Sequence, residues 1–339
     1  MTRRLLQAMA GAPHGGAETF FVRLAAALQR DGEIQRVLIR RDPARSAQLR
    51  GAGVDCVEAG FGGRFDLLTR RAFRREIAEY RPDIVLTWMN RATQFCPRGD
   101  FVHLARLGGY YDLKYYRHCD HLIGNTRAIV DYAREHGWPE ERVHYLPNFV
   151  PDPGERQRTG YQGDTKLALA LGRLHPNKGF DLLLDALSLT KGVLLSIAGD
   201  GEREAALRQQ AETLGMASRV SFLGWQDDVW PLLNAADFLV CPSRHEPLGN
   251  VVIEAWAAGV PVIATDSDGP AGLIADEKNG LLVPLDGGAP ALAEAITRLA
   301  DDDAFRTRLA AAGRRAYQEN FTEAAVVARY RALFDRVTR

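Results

Sequence analysis

The stretch Leu167-Ala-Leu-Ala-Leu-Gly-Arg-Leu-His-Pro-Asn-Lys-Gly-Phe-Asp-Leu-Leu-Leu-Asp-Ala-Leu187 decides the fold class. It opens with an apolar run of strand length, passes through a loop with two glycines, and ends in residues 180–187, which have the amphipathic spacing of a helix. The same succession recurs at residues 193–198 and 202–214. Because strands that alternate with helices of about 10–15 residues are typical of βαβ units, we predict an α/β fold with parallel sheets.

The first half of the chain follows the same pattern. Residues 5–10 predict a strand, and residues 18–30 predict a helix after a glycine-rich turn. Between the halves lies Pro147-Asn-Phe-Val-Pro-Asp-Pro-Gly-Glu-Arg-Gln-Arg-Thr-Gly160, which has three prolines, two glycines and no apolar periodicity. We therefore predict two doubly wound domains, 1–150 and 151–321, that face each other across a cleft.

The charge of the chain is balanced in total but unevenly distributed. The 339 residues include 43 Lys and Arg and 43 Asp and Glu, a balance that disfavours a nucleic-acid binder. Residues 1–150 carry 23 basic and 17 acidic side chains, whereas the remainder carries 20 and 26. This split indicates two domains with different partners. The stretch 322–339 is basic and has the apolar spacing of a helix, so we expect it to pack back on the first domain.

The sequence also disfavours a secreted or membrane-spanning protein. The four cysteines, at positions 56, 96, 119 and 241, form no CxxC pair, and no secretory signal precedes them. We therefore expect reduced thiols in a cytoplasmic protein. No apolar run reaches the roughly 18 residues of a membrane span.

A glycine-rich segment, Gly11-Ala-Pro-His-Gly-Gly-Ala-Glu18, lies between the predicted first strand and its helix. Glycines at such a turn let the backbone approach a ligand, and the helix N-terminus offers N–H groups to an anion. A tight turn that needs glycine for its backbone angles is the alternative, and both interpretations stay open. The segment is not GxGxxG, which counts against an ordinary dinucleotide site.

Two basic residues, Arg173 and Lys178, lie five positions apart on the loop of the deciding stretch. An arginine acts as a planar fork and a lysine as a point charge, a combination that suits a diphosphate. The alternative is two solvated charges on a surface turn. Their position after a predicted strand favours the binding function.

A second group of polar residues lies in Glu246-Pro-Leu-Gly-Asn-Val-Val-Ile-Glu254. Gly249 and Asn250 stand where a helix begins, which favours a phosphate. Glu254 falls within that helix on an otherwise apolar stretch, where a carboxylate is costly unless it accepts hydrogen bonds. Sugar hydroxyls would supply those bonds, and pairing with a nearby arginine is the alternative. Glu246 precedes the helix and is placed to reach the cleft.

Taken together, these residues resemble a family of glycosyltransferases. The spacing Glu246-x7-Glu254, the pair Arg173 and Lys178, and the early Gly-Gly-Ala-Glu motif are similar to those of retaining GT4-type enzymes with the GT-B fold. Further motifs stand in family order along nearly the whole chain: Gly199-Asp-Gly-Glu, Val220-Ser-Phe-Leu-Gly224, Asn234-Ala-Ala-Asp237, Pro242-Ser-Arg-His-Glu-Pro-Leu-Gly, Ala257-Ala-Gly-Val-Pro-Val-Ile-Ala264 and Asn279-Gly-Leu-Leu-Val-Pro284. The resemblance implies two Rossmann-like domains, an acceptor side in 1–150 and a nucleotide-sugar donor side in 151–321.

The resemblance also implies roles for individual residues. Arg173 and Lys178 would hold the donor diphosphate and neutralise the charge on the leaving group. Together with Glu246, which would contact the donor sugar, they form the predicted catalytic set. Glu254 would bind the nucleotide ribose. The remaining donor contacts that the resemblance implies are Gly15, Gly16, Gly199, Trp225, Leu248, Gly249, Asn250 and Val251.

The chemistry that the resemblance implies is transfer with retention of anomeric configuration. Front-face attack, in which the leaving phosphate takes the acceptor proton, needs no protein nucleophile. The donor would be a UDP-, GDP- or ADP-linked sugar, with no further cofactor and no metal. Asp266-Ser-Asp268 is interpreted as a donor-side turn, not as a metal site. The acceptor would be a glycan or lipid-linked saccharide in the synthesis of bacterial envelope polysaccharide or lipopolysaccharide.

One departure from the family concerns a histidine that many relatives place in the first domain. The corresponding region here reads Phe101-Val-His-Leu-Ala-Arg-Leu-Gly-Gly-Tyr-Tyr-Asp112, with two glycines where that histidine is expected. His103, Arg106 and Asp112 are the candidates for an acceptor-side group. Two other functions stay open: a GT-B sugar-nucleotide epimerase and a catalytically silent sugar-nucleotide-binding protein.

An arginine-rich stretch, Arg64-Phe-Asp-Leu-Leu-Thr-Arg-Arg-Ala-Phe-Arg-Arg-Glu-Ile-Ala-Glu-Tyr-Arg81, contains six arginines and three acids. Its apolar positions, among them Phe65, Leu68 and Ile77, mark one face of a helix. That face either packs on the sheet or lies on an anionic membrane. The second interpretation places the protein at the inner face of the cytoplasmic membrane.

Overall fold

The computed structural model describes residues 3–13, 15–63, 66–154 and 165–338. The chain divides into two compact units, one of Met1–Phe149 with Glu323–Arg339 and one of Val150–Thr322. Arg64 and Phe65 of the arginine-rich stretch, and residues 155–160 of the stretch between the predicted domains, lie outside the described residues.

The first unit contains, in its described part, a seven-stranded sheet in the order β3-β2-β1-β4-β5-β6-β7 with every pairing parallel. The strands are β1 (Arg4–Met9), β2 (Ile34–Arg40), β3 (Asp55–Ala59), β4 (Ile84–Trp88), β5 (Val102–Leu107), β6 (His121–Gly124) and β7 (Val143–Tyr145). The helices are α1 (Gly16–Arg30), α2 (Pro43–Gly51), α3 (Leu67–Tyr80), α4 (Met89–Phe95), α5 (Arg127–Glu135) and the C-terminal α13 (Glu323–Val337).

The second unit contains, over the residues described, a six-stranded parallel sheet in the order β10-β9-β8-β11-β12-β13. The strands are β8 (Lys166–Leu171), β9 (Val193–Ala198), β10 (Val220–Phe222), β11 (Phe238–Cys241), β12 (Val262–Thr265) and β13 (Leu281–Val283). The helices are α6 (Phe180–Ser188), α7 (Glu204–Thr213), α8 (Trp230–Ala235), α9 (Asn250–Ala257), α10 (Asp268–Leu273), α11 (Gly288–Asp301) and α12 (Asp303–Asn320). The two parallel sheets confirm the predicted α/β fold class.

Strand β1 shows why its sequence is apolar on both faces. Leu5 and Met9 pack into one hydrophobic cluster with α1 and α13, and Leu6 and Ala8 pack into another with α3 and α4. Alternate residues of a strand point to opposite faces, and a parallel sheet is covered by helices on both. A nearly continuous apolar run is therefore the expected signature of such a strand, and in β1 it is interrupted only by the buried Gln7, whose amide nitrogen donates to Oε1 of Gln35 at 2.9 Å.

The strand order of each sheet reverses at one point. In the first sheet β1 lies between β2 and β4, and in the second β8 lies between β9 and β11. In open parallel sheets ligands bind beyond the carboxyl ends of the strands at this reversal. The loops after β1 and β4, and those after β8 and β11, are therefore the places to look for a site in each unit.

Helix α3 departs from its predicted apolar face. Leu68 was assigned to an apolar face that either packs on the sheet or lies on a membrane, and it is 80% exposed, as is its neighbour Leu67 at 73%, so it does not pack on the sheet. The Asp66 carboxylate caps the helix by accepting the N–H of Thr69 at 2.9 Å, and this start turns Thr69 and Phe73 inward instead. The two leucines lie at the beginning of the helix on its solvent side.

Helix α12 packs closely on α9 at a glycine. A Cβ atom on Gly313 would lie 2.3 Å from Cδ1 of Trp256, and the indole is held by a 3.0 Å hydrogen bond from its Nε1 to the Asn279 carbonyl. Since Trp256 is fully buried, it has little freedom to move aside.

We predict that Gly313→Ala lowers the free energy of unfolding by about 1–3 kcal/mol, the usual cost of overpacking a core. Chemical denaturation followed by circular dichroism measures the change. Gly272→Ala is the matched control, because that helical glycine is in the same unit and a Cβ there meets no atom within 4 Å. Equal stability of the two variants would contradict the prediction.

Candidate functional site

The loops after β8 and β11 meet in the second unit because glycines allow their backbones to touch. Gly179 has a φ of 66°, and a Cβ atom on it would lie 2.0 Å from the carbonyl oxygen of Pro242. Gly199, after β9, has a φ of 146°, and a Cβ there would lie 1.9 Å from the Gly172 carbonyl oxygen. Side chains at these positions would force the loops apart.

This contact brings Lys178 and Glu246 together, 68 positions apart in the sequence. The lysine Nζ pairs with Oε2 of Glu246, whose side chain is almost fully buried. The other carboxylate oxygen, Oε1, accepts the N–H of Gly249 at 3.3 Å. The carbonyl oxygen of Glu246 accepts the N–H of Gly269 at 2.7 Å. A buried carboxylate needs such partners, which fix its position.

Arg173 lies on the same loop as Lys178 but has a different environment. The arginine is exposed, and within the described residues its guanidinium makes neither a hydrogen bond nor an ion pair. Its five N–H donors are therefore available to a ligand. Lys178, in contrast, is three-quarters buried and held by its carboxylate partner.

The predicted helix start at Gly249 is the N-terminus of α9. Gly249 has a φ of 71°, and its Cβ would lie 3.0 Å from Cδ1 of Leu273. Asn250 and Val251 begin the helix, where backbone N–H groups lack partners within the helix. Glu254 is half-buried four residues after Asn250, so the two side chains share one face of α9.

The other predicted donor residues lie around this cluster with varied exposure. Trp225 is 63% exposed, and its Nε1 donates to Asp227 at 2.9 Å. Leu248 is half-buried on the loop before α9. Gly199 donates its N–H to the Gly224 carbonyl at 2.8 Å, which ties the loop after β9 to the loop that carries Trp225.

Among the residues that the structure describes, neither a reactive thiol nor a metal cluster lies beside this site. Burial raises the pKa of the Cys241 thiol to about 11, so it stays protonated at neutral pH. The Asp266 carboxylate accepts the N–H of Leu285 at 2.9 Å and so holds a turn. In the described ranges, no three His, Cys, Asp or Glu side chains group so as to hold a metal ion.

The glycines Gly15 and Gly16 lie in the first unit, at the start of α1. Glu18, in the first turn of that helix, folds back so that its Oε1 accepts the N–H of Ala12 at 2.8 Å. A Cβ on Gly15 would lie 2.3 Å from Oε2 of Glu18, whereas one on Gly16 would meet no atom within 4 Å. A side chain on Gly15 would therefore displace the Glu18 carboxylate, and the assignment of both glycines as donor ligands stays a prediction.

The structure places His103 in the interior of the first unit. Its Nε2 is 2.9 Å from Oγ1 of Thr87, and the residue is 5% exposed on β5. Burial lowers the pKa of His103 to about 4, against a smaller opposing effect of the Asp120 carboxylate. A neutral histidine enclosed by the sheet cannot reach an acceptor, so we do not carry it forward as an acceptor-side group.

Arg106 is also an interior residue. Its Nε donates to the Tyr330 hydroxyl at 2.9 Å, and an Nη donates to Oδ1 of Asn148 at 2.6 Å. The guanidinium carbon lies 4.8 Å from the ring centre of Phe20 and 4.7 Å from that of Trp88. These contacts tie α13 to the sheet through Tyr330, and the side chain is fully buried.

Asp112, the third acceptor-side candidate, is exposed. Its carboxylate accepts the N–H of Lys114 at 3.0 Å and pairs with the ammonium group of the same lysine. These hydrogen bonds to Lys114 lower the pKa of the carboxyl group. Asp112 thus caps a short 3₁₀ turn, and nothing in these contacts gives it a catalytic environment.

Sequence reasoning missed a pocket of 660 Å³ in the first unit, at the carboxyl edge of its sheet. Its walls come from segments that are far apart along the chain, so no local motif marks it. Three arginines and one acid are among its lining residues, which are Ala10, Ala12, Glu18, Arg40, Gly62, Gly63, Arg70, Trp88, Met89, Asn90, Arg91, Gln94, Phe95 and Tyr111.

Comparisons with known proteins place the chain in a family. Residues 14–152 match the model of Glycosyltransferase Family 4, and residues 152–316 match that of Glycosyl transferases group 1. The lipopolysaccharide core biosynthesis glycosyltransferase LpsE of Rhizobium meliloti (strain 1021) is 36% identical over 93% of this chain and 94% of its own length. The chain belongs to the family 4 glycosyltransferases. This membership confirms the resemblance that the motifs predicted.

Further relatives agree with this placement. LpsD of the same organism, also a lipopolysaccharide core biosynthesis glycosyltransferase, is 36% identical over 95% of both chains. A crystal structure of Anabaena Alr3699/HepE in complex with UDP superposes with a TM-score of 0.83 over 98% of this glycosyltransferase and 100% of that chain, at 20% identity. The lipopolysaccharide outer core galactosyltransferase WaaB superposes with a TM-score of 0.81, over 98% and 99% of the chains, at 19% identity.

These likenesses confirm the predicted GT-B fold and the predicted class of activity, glycosyl transfer. Membership supports transfer over the two alternatives, an epimerase and a silent binding protein. Among the residues described, no helix of this glycosyltransferase is both long and apolar enough to cross a bilayer.

The buried His103 generates a prediction about pH. Its pKa is about 4 in the folded protein and about 6.5 when unfolded, so the unfolded chain binds more protons between these values. Stability is therefore fully present above the unfolded pKa and is lost as the pH falls toward the folded pKa. Between about pH 7 and pH 5 this group alone removes roughly 2 kcal/mol of unfolding free energy.

Scanning calorimetry of the wild type and His103→Gln at both pH values measures this loss. The variant is expected to lose less stability on acidification, because glutamine does not titrate. Carboxylates that titrate in both proteins cancel in the comparison. An equal loss in the two proteins would mean that His103 is not the group that takes up the proton.

Proposed function

We propose that this glycosyltransferase transfers a sugar from a nucleoside-diphosphate donor to a glycan or lipid-linked acceptor in the assembly of bacterial lipopolysaccharide core. The likeness to LpsE and LpsD over nearly the whole chain supports the pathway. The observation that carries the chemistry is the cluster of Lys178, Glu246 and the N-terminus of α9, which the loops after β8 and β11 bring together.

The donor diphosphate would bind to two cations of the second unit. Arg173 offers an unoccupied guanidinium, and Lys178 offers an ammonium group that Glu246 holds in place. The first-turn N–H groups of Asn250 and Val251 would add hydrogen bonds to the phosphate oxygens. Preorganised positive groups of this kind stabilise a departing diphosphate because charge develops on it in the transition state.

The nucleoside would lie along α9. Glu254 shares a face with Asn250, so a carboxylate stands one helical turn from the proposed phosphate position. A carboxylate accepts hydrogen bonds from both ribose hydroxyls. The exposed ring of Trp225 would border the base. UDP-glucose is the first donor to test, because a crystal structure of Anabaena Alr3699/HepE contains it.

The stereochemical course that we propose is retention without a metal ion. The acceptor hydroxyl would attack the anomeric carbon from the side on which the diphosphate leaves. The bond from that carbon to the phosphate oxygen breaks, the bond to the acceptor oxygen forms, and the acceptor proton passes to the leaving phosphate. Glu246 would orient the donor sugar through its hydroxyls. The charge on the phosphates would be neutralised by Arg173 and Lys178 in place of a metal.

We predict that Arg173→Gln and Glu254→Gln each lower kcat/KM for the donor by about 100-fold, since each removes a group that binds the donor in the transition state. Initial rates of nucleoside diphosphate release in the presence of an acceptor extract measure the change. NMR of the product reports whether the anomeric configuration is retained, and the same assay with a chelator tests metal independence.

Lys191→Gln is the control for these variants, because Lys191 is an exposed lysine of the same unit that lies outside the cluster. Lys178→Gln is informative only with a folding check, since it leaves the Glu246 charge buried without its partner. Wild-type activity in both Arg173→Gln and Glu254→Gln would refute the proposed donor site.

We further propose that the first unit docks on the anionic inner face of the cytoplasmic membrane. Leu67 and Leu68, both largely exposed, lie at the start of α3, and Arg71 and Arg74 are exposed on the same helix. Exposed leucines gain free energy by entering the acyl region. An arginine near an anionic surface contributes about 1 kcal/mol. This combination supports membrane contact and would bring the enzyme to a lipid-linked acceptor.

We expect Leu67→Ser with Leu68→Ser to reduce sedimentation with vesicles of phosphatidylcholine and phosphatidylglycerol by about tenfold, because the apolar anchor is lost. Leu189→Ser is the matched control, since Leu189 is 61% exposed but lies in the second unit. Added salt is expected to weaken wild-type binding by screening the arginines. Absence of wild-type sedimentation at low salt, or equal binding by the double variant, would rule out this surface.

A further inference from the structure

The residues that line the 660 Å³ pocket of the first unit include none of those assigned to the proposed donor site. It opens where the strand order reverses, with Ala10 following β1 and Trp88 ending β4. Arg40 ends the neighbouring β2, and Tyr111 follows β5. This is the position at which parallel sheets bind ligands, and the volume falls within the roughly 300–1,000 Å³ of small-molecule sites.

The pocket carries a surplus of positive charge. Arg40, Arg70 and Arg91 line it, and none of the three forms an ion pair with any residue that the structure describes. Glu18 is the one acid among the lining residues, and one of its oxygens is occupied by the N–H of Ala12. A concave site that is lined by several cations attracts an anion, and low-dielectric walls strengthen that attraction.

Two of the arginines are held against the pocket wall. The guanidinium of Arg70 lies 5.4 Å from the ring centre of Phe95, and Nη1 of Arg91 donates to the carbonyl of Phe61 at 3.5 Å. Stacking and hydrogen bonding of this kind limit the orientations that a guanidinium adopts. These contacts orient Arg70 and Arg91 at the pocket wall, and all three arginines are exposed to solvent.

The backbone of the pocket wall is strained at two non-glycine residues. Met89, a lining residue, has a φ of 60°, and Phe61, next to the lining Gly62, has a φ of 45°. Such conformations cost about 1–3 kcal/mol and cluster at binding sites. The strain at Met89 starts α4, the helix that carries Asn90 and Arg91 into the pocket lining.

Neutral hydrogen-bonding groups accompany the arginines. Oδ1 of Asn90 accepts a hydrogen bond from the Tyr116 hydroxyl at 2.5 Å, so the amide NH₂ of Asn90 is left as a hydrogen-bond donor. Gln94 and Tyr111 also line the pocket. A site for a bare anion would need only the cations, whereas these groups, together with the volume, suit a hydroxyl-rich molecule that carries an anionic group.

We infer that this pocket binds the acceptor saccharide through an oxyanion on it, a phosphate or a carboxylate, which Arg40, Arg70 and Arg91 hold. The inference deepens the proposed function and rests on it, because only the proposed transfer reaction makes the bound saccharide an acceptor. Guanidinium groups match both oxyanions by paired hydrogen bonds. The acceptor is thus a phosphorylated or acidic sugar, and the basic first unit selects it over a neutral one.

Isothermal titration with glucose 6-phosphate, glucuronate and glucose tests the inference. Wild-type protein is expected to bind the phosphate or the carboxylate probe, or both, and to bind glucose at least tenfold more weakly, a difference of about 1.4 kcal/mol. The two anionic arms tell which oxyanion the site prefers. We expect binding of the anionic probe to weaken by at least about tenfold in the double variant Arg40→Gln with Arg91→Gln. We expect the same loss in the single variant Arg70→Gln.

Two controls locate the bound probe. Arg23→Gln removes an exposed arginine of the same unit outside the pocket, and it is expected to bind as the wild type does. Arg173→Gln removes a cation of the donor site and is also expected to leave probe binding unchanged. Circular dichroism confirms folding of each variant, and Arg70→Gln stands in if the double variant does not fold.

The inference is overturned if no anionic probe binds the wild type, if glucose binds as tightly as the anions, or if binding survives both pocket variants. Loss of probe binding in Arg173→Gln would place the probe in the second unit, and this result would also overturn the inference. UDP titrated into the same proteins tests the donor site separately. Failure of UDP binding with intact probe binding would refute the proposed donor site and leave the pocket standing.

Discussion

The buried carboxylate of Glu246 is the constraint on which the donor-side geometry depends. A charge removed from water costs several kcal/mol unless partners compensate it, and here the partners are the Lys178 ammonium and the Gly249 N–H. The Gly249 N–H lies on the same loop as Glu246, whereas Lys178 becomes available only when the loops after β8 and β11 touch. The touching in turn requires glycine at position 179 and adjacent parallel strands, so sheet order, loop packing and site chemistry depend on one another.

The two units use the same strand reversal for different chemistry. In the acidic second unit, the reversal displays two cations beside a helix N-terminus. In the basic first unit, it opens a pocket with three arginines. Part of the basic surplus is structural, because Arg106 is buried among aromatic rings and Arg45 donates to the Ala12 carbonyl. The remaining arginines lie at the carboxyl edge of the sheet, in the lining of the pocket. The total charge of the unit does not show this placement.

Predictions from the sequence were correct where a single segment determines the structure, and wrong where packing between distant segments determines it. The apolar runs at residues 5–10, 167–171 and 193–198 predicted β1, β8 and β9 to within one residue, since a strand buried on both faces is a nearly continuous apolar run. Leu68 was placed on one apolar face with Ile77 from spacing alone, but the cap at Asp66 sets the start of α3 and leaves Leu68 exposed. His103 is a residue type that is common in catalytic sites, but only the structure shows that the sheet encloses it.

The sequence by itself determined the α/β class, the family, the loops that carry Arg173, Lys178 and Glu246, and the helix that carries Glu254, because contiguous motifs and periodic apolar residues encode these features. The tertiary structure alone decided that Lys178 pairs with Glu246. It also decided that His103 and Arg106 are interior, and that three arginines from three separate elements share one pocket. The physical reason is that strand order brings distant segments together, and burial then determines which side chains remain free to bind a ligand.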